Sequence, residues 1–184
     1  FEPMNTSYSY LIKNIFENKA NSNIFSYNIA LSDHCGEIDF FVPPANGTNA
    51  SIINVSGDKN SKIEIIKTLT LDQWCKDQNV LPDFIKCDVE GAELLVFKGA
   101  KETLKKCTPL IFTELLRKWS KPYGYHPNNV INFFKELGYV CYGIGSQRLN
   151  LITNVNDQTI ETNYIFVHQT KHSNIIDKFK NLKW

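Results

Sequence analysis

Carboxylates gather where an apolar run of this chain stops. Residues 85–93 read Ile-Lys-Cys-Asp-Val-Glu-Gly-Ala-Glu, so Asp88, Glu90 and Glu93 crowd the point at which a short strand turns into a helix. Such a concentration of charge is costly unless it is solvated or used. A hydroxyl is a poor nucleophile until its proton leaves, and a carboxylate within hydrogen-bond reach can take that proton. Asp88 is the first candidate for this general base and Glu90 the second. A helix cap at Asp88, with Glu90 and Glu93 favouring the positive end of the helix dipole, accounts for the same residues without chemistry. Glu90 and Glu93 stand three apart and are expected to share a helix face. Three carboxylates without histidine make a weak metal signature, and no metal is expected.

Open α/β sheets bind ligands at the carboxyl ends of their strands, which adds Glu2, Asp33 and Glu114 to the candidates. Glu2, in Phe1-Glu2-Pro3, fits a strand-end acid whose carboxylate accepts hydrogen bonds from the vicinal hydroxyls of a ribose. A residue so near a chain end also fits plain exposure to solvent. Glu114 ends the next apolar run, where it can bind an acceptor or hold Asp88 through a shared donor such as Lys86 or Arg117. Four histidines (His34, His126, His168, His172) show no ligand spacing. Of these His126, in the aromatic loop 123–127, is the one placed to meet a substrate. Trp119 and the neighbouring tyrosines suit a substrate mouth and equally a covered core edge. Serine elbows and phosphate loops are absent.

These residues need elements to position them. Helix-like and strand-like segments alternate along the chain, which predicts an α/β layered fold. Helical spacing over 6–19 is followed by a strand over 24–31. Short β-type runs at 37–42 and 63–68 flank a stretch rich in Pro, Gly, Asn and Ser, predicting a hairpin-like insertion around 36–68 with a long loop at 43–60. A short helix at 71–76 precedes Pro82, the strand 83–87 and a helix over 91–106. A strand at 109–115 and a helix at 127–137, closed by Gly138, come next. The runs 139–144 and 164–168 alternate like antiparallel strands at the end of a sheet.

Composition narrows the class of function. The 20 basic and 19 acidic residues leave a net charge of +1, which argues against a nucleic-acid scaffold or a polybasic membrane binder. Within 184 residues, 42% hydrophobic and 21% charged, one globular core is the default. Cys35, Cys75, Cys87, Cys107 and Cys141 are dispersed without a close pair, favouring reduced thiols and a cytoplasmic location. No apolar run approaches the roughly 18 residues of a membrane span, so membrane insertion is not expected. Sequons at Asn5, Asn46, Asn49 and Asn54 are what an Asn-rich chain with many Ser and Thr produces by chance.

Taken in order, Phe1-Glu2-Pro3, Ala30-Leu31-Ser32-Asp33 with Gly36, Thr70-Leu71-Asp72, the string DVEGAE at 88–93, Lys98-Gly99-Ala100 and Leu137-Gly138-Tyr139 resemble the FkbM-type S-adenosylmethionine-dependent methyltransferases. The resemblance implies a Rossmann-like methyltransferase sheet, mostly parallel with an antiparallel end. It implies that Glu2 holds the cofactor ribose, that Ser32 and Asp33 lie near the adenine, and that Asp88 sits beside the methyl group and the acceptor. The implied reaction is O-methylation of a hydroxyl on a sugar, glycan or other small acceptor, with Glu114 and His126 as acceptor-binding candidates. The family's glycine-rich loop and first strand are expected upstream of Phe1. A βαβ unit takes roughly 30 or more residues, so residues 1–184 are expected to form one N-terminally incomplete domain. Two rival readings are a noncatalytic or truncated Rossmann-like module without cofactor, and a nicotinamide dehydrogenase, to whose chemistry DVEGAE is foreign.

Overall fold

The computed structural model describes residues 1–42, 44, 51–54, 59–146 and 148–181. Most of the 43–60 loop, with the sequons at Asn46 and Asn49, lies outside the described residues. The elements run α1 (Asn5–Glu17), β1 (Ala30–Leu31), β2 (Gly36–Val42), β3 (Lys62–Leu69), α2 (Leu71–Gln78), β4 (Phe84–Cys87), α3 (Glu93–Lys98), α4 (Lys101–Cys107) and β5 (Leu110–Glu114). They continue with α5 (Arg117–Ser120), a 3-10 turn (Lys121–Tyr123), α6 (Pro127–Glu136), β6 (Tyr139–Ile144), β7 (Leu149–Ile152), β8 (Asn163–His168) and α7 (Ser173–Asn181).

The strands form two mixed sheets. One has the order β1-β3-β2 and the other β4-β5-β8-β6-β7. The expectation of a mostly parallel sheet is therefore corrected. Among the described residues only β1 with β3 and β4 with β5 run parallel, while β2 with β3, β5 with β8, β8 with β6 and β6 with β7 run antiparallel. Two of the antiparallel pairs, β2 with β3 and β6 with β7, join strands that are neighbours in chain order, a pairing that does not require the long crossover a parallel pair needs. The strand expected over 24–31 shrinks to Ala30–Leu31, because Ile24 and Phe25 face solvent and only its last residues reach β3.

The larger core forms around Phe134 of α6. Its ring meets Phe97 at 4.7 Å, Tyr139 at 5.2 Å and Phe166 at 4.4 Å, so one side chain joins α3, α6, β6 and β8. Val130 and Ile131 bury the rest of that helix face, each contributing about 1.5–3 kcal/mol. A smaller core of Met4, Ala30, Phe40 and Ile66 binds α1 to the first sheet.

Two short motifs prove to be joints. The helix expected over 91–106 is broken at Gly99-Ala100 into α3 and α4, and the break is stabilised from α2. Thr70 caps α2 by accepting the Gln73 N–H, while Asp72 donates its own N–H to the Gly99 carbonyl at 2.9 Å. Asp72 Oδ1 accepts the Thr103 N–H at 2.7 Å and Oδ2 accepts the Glu102 N–H at 3.0 Å, capping α4 across the fold. Asp72→Ala removes both bonds and is expected to lower stability by about 0.5–2 kcal/mol. A urea midpoint identical to wild type would show that the cap contributes nothing.

Candidate active site

A cavity of about 660 Å³ opens between the first sheet and β4. Phe1-Glu2-Pro3, β1, Phe40 and Ile52 form one side, and α2, β4 and the turn after β4 form the other. Its walls are largely apolar, while its carboxylates come from Glu2, Asp88 and Glu90.

Glu2 is held from several directions. Its backbone N–H donates to the Tyr27 carbonyl at 3.0 Å, and the Asn28 side-chain amide donates to the carbonyls of Glu2 and Pro3. Glu2 Oε1 accepts the Met4 N–H at 2.9 Å, which fixes the carboxylate at the start of α1. Phe1 stacks on Tyr27, and Trp74 meets both rings edge-on. Trp74 lines the same cavity, and its buried Nε1 has no hydrogen-bond partner.

Opposite Glu2, the chain leaves β4 through a strained turn. Glu90 has φ 53° and Gly91 φ 100°. A left-handed backbone costs a non-glycine residue roughly 1–2 kcal/mol, and such strain persists where surrounding structure imposes it. Here the imposing group is Glu93, whose Oε1 accepts the N–H of Val89 at 3.0 Å and of Gly91 at 3.2 Å. The Trp119 backbone presses on Gly91 from the other side, where any Cβ would collide with it.

This geometry overturns two readings of the acidic string. Glu90 and Glu93 do not share a helix face, because α3 begins only at Glu93 and Glu90 belongs to the turn. Asp88 does not cap α3, whose N-cap is Ala92 with no side-chain bond. Asp88 Oδ2 instead pairs with Lys86 Nζ at 3.1 Å, near the cavity surface. Arg117 turns away to the Asn156 carbonyl and Asp157, so neither donor joins Glu114 to Asp88.

Glu90 differs from Asp88 in environment. Its Oε2 is buried without a hydrogen-bond partner. Burial raises its carboxyl above the ordinary value, and the negative charges of Asp88 and Glu114 add to the shift while Lys118 opposes it. The group is thus a half-buried carboxylate of raised basicity with an oxygen free to accept.

The remaining candidates lie off the cavity wall. Ser32 is buried, its Oγ 3.4 Å from Asp33 Oδ1, and Asp33 pairs with His34 at 2.8 Å. His126 is the N-cap of α6, its Nδ1 accepting the Asn128 N–H while Asn129 Oδ1 accepts the His126 N–H. Glu114 reaches the site through its charge on Glu90. Sequence reasoning missed Trp74, while Tyr123, one of the tyrosines near Trp119 expected at a substrate mouth, does line the cavity. Only the aromatic loop around His126 signalled the tyrosines, and nothing in the sequence signals Trp74. Among the described residues no group of three or more His, Cys, Asp or Glu is placed to hold a metal ion, and no helix is long and apolar enough to cross a membrane.

Comparison with known proteins bears on this site. The chain is 38% identical over 104 residues to the 2-O-methyltransferase NoeI of Sinorhizobium fredii (strain NBRC 101917 / NGR234), an alignment covering 48% of this chain and 42% of NoeI. The chain thus spans less than half the length of that relative. A crystal structure of methyltransferase FkbM from Methylobacillus flagellatus KT aligns with 90% of this chain and 35% of its own, at 15% identity and a TM-score of 0.48. The family model described as the methyltransferase FkbM domain matches residues 1–141, which contain Glu2, the acidic turn and Glu114, and the chain belongs to that family.

Proposed function

We propose that this chain carries the ribose site and the acceptor base of an S-adenosylmethionine-dependent O-methyltransferase, acting on a hydroxyl of a sugar, glycan or other small molecule. The observation that carries this reading is that Glu2, Asp88 and Glu90 line one cavity. The donor set suits the cofactor: a carboxylate for the ribose hydroxyls, apolar walls for the adenine, and two carboxylates for a cationic sulfonium. When bound, the cofactor supplies an electrophilic methyl carbon on that sulfonium.

The residues of the chain then have distinct tasks. Glu2, oriented by Met4, accepts hydrogen bonds from the ribose, while buried Ser32 shapes the end of β1 from behind the wall and Asp33 beside it lies toward the adenine end. Asp88, neutralised by Lys86, faces the methyl group and the acceptor. Glu90 takes the proton of the acceptor hydroxyl at the carboxylate whose Oε2 has no internal partner. Leu31, Leu71 and Val96 exclude water from the same space, which strengthens each of these electrostatic contacts. Ser51, Ile52 and Tyr123 stand at the acceptor side, and a longer glycan reaches past them toward Glu114 and His126. NoeI is itself named a 2-O-methyltransferase, which supports a hydroxyl acceptor. Five free cysteines suit a reducing compartment such as the cytoplasm.

Calorimetric titration of S-adenosylhomocysteine into the purified chain tests the reading. Wild type is expected to bind, and Glu2→Gln to bind about 1–3 kcal/mol more weakly through loss of a charged acceptor. Equal affinity removes Glu2 from the site. No binding by the wild-type chain favours a noncatalytic or truncated module without cofactor.

A further inference from the structure

Glu93 is 3% exposed, and none of the ion pairs among the described residues involves it. With Oε1 occupied by the N–H groups of Val89 and Gly91, Oε2 faces the Tyr125 phenol at 3.2 Å. That phenol also stands 2.8 Å from the Gly91 carbonyl. A phenol carries one proton, and a carbonyl can only accept. With that proton on the nearer Gly91 carbonyl, the contact with Glu93 closes as a hydrogen bond only when Oε2 carries a proton and donates it to the phenol oxygen.

The surroundings agree with that placement. Cys87 from β4, Glu90 from the turn, Tyr123 from the 3-10 turn and Tyr125 face Glu93, with Asp88 close behind. None of these is a cation. Burial raises the Glu93 carboxyl above its ordinary range, although hydrogen bonds from the backbone N–H groups of Glu93 itself, Val89 and Gly91 oppose the shift.

We propose that Glu93 is held as a neutral carboxylic acid and that, with Tyr125, it is the positioning residue that locks the strained 88–91 turn and so aims Glu90. Its consequence for methyl transfer rests on the function proposed above; the brace itself rests on hydrogen-bond geometry alone. Glutamine reproduces the neutral acid, since its carbonyl accepts the two N–H groups and its amide donates to Tyr125. Tyr125→Phe keeps the ring and removes both bonds.

Infrared difference spectra of wild type against Glu93→Gln, at pH 7 and without cofactor or acceptor, read the protonation state. The expected result is loss of a protonated carboxyl band in Glu93→Gln and a shift of that band in Tyr125→Phe. Carbon-13 NMR then reads the aim of Glu90, whose titration is expected to hold in Glu93→Gln and to move in Tyr125→Phe. A carboxyl raised in the folded state contributes stability that is fully present below its unfolded value, near 4.5, and is lost as pH rises through the folded value. Wild type is expected to show that decline and Glu93→Gln to lack it. An ionised carboxylate at pH 7, or a Glu90 titration displaced in Glu93→Gln, overturns the proposal. Failure of S-adenosylhomocysteine binding with the band intact removes the cofactor site proposed for this chain and leaves the brace standing.

Discussion

Replacing Glu90 with glutamine is expected to lower turnover about 10²- to 10⁴-fold while leaving the affinity for S-adenosylhomocysteine nearly unchanged. The substitution keeps size and hydrogen bonding but removes the site that receives the acceptor proton. Glu90 is favoured over Asp88 because its Oε2 is buried without a partner, whereas Asp88 Oδ2 already pairs with Lys86. A base must be ionised to work, and burial together with the charges of Asp88 and Glu114 raises the Glu90 carboxyl above its ordinary value. Turnover is therefore expected to fall on the acid side as Glu90 is protonated, along a limb displaced upward from the ordinary carboxyl range and absent from Glu90→Gln. The measurement is transfer of labelled methyl from S-adenosylmethionine to a hydroxyl acceptor across pH, for Glu90→Gln and Asp88→Asn in parallel. A greater loss in Asp88→Asn, with the acid limb intact in Glu90→Gln, assigns the base to Asp88 instead.

The sequence announced the acidic turn but not its internal wiring. Apolar runs ending in carboxylates are local signals, and the strand 83–87 followed by charged residues could be read without any partner. Which carboxylate does what depends on neighbours far along the chain. Glu93 resembles a dipole-favouring helix residue until Tyr125, 32 residues away, is seen against its second oxygen. Asp72 looked like the start of a short helix, yet its carboxylate caps α4 some 30 residues later. Strand direction was equally hidden, because alternation shows which face is buried and says nothing of whether the partner runs parallel. Helix α6 was legible for the opposite reason. Its apolar positions repeat at helical spacing within one segment, and Pro127 and Gly138 mark its ends.

Gly99→Ala is expected to destabilise the fold severely and to weaken the cofactor site with it. A Cβ at this position would collide with the Ser32 carbonyl oxygen and lie 3.2 Å from the Asp33 Cα. Both obstacles are backbone, so no rotamer change relieves them, and Ser32 is itself fixed by its N–H bond to the Leu69 carbonyl. Overpacking alone costs about 1–3 kcal/mol, and moving a bonded strand end adds to it. That sum is a large share of the 5–15 kcal/mol typical of a domain. The same contact ties β1, in the sheet beside Glu2, to the α3–α4 joint, which Asp72 secures from α2. Forcing it apart should shift the walls of the cavity relative to each other. Gly99→Ala is therefore expected to lower the urea midpoint well beyond Asp72→Ala and to weaken S-adenosylhomocysteine binding in whatever fraction folds. A midpoint equal to that of Asp72→Ala would mean that the β1 end yields easily, and that the two sheets are not locked through this glycine.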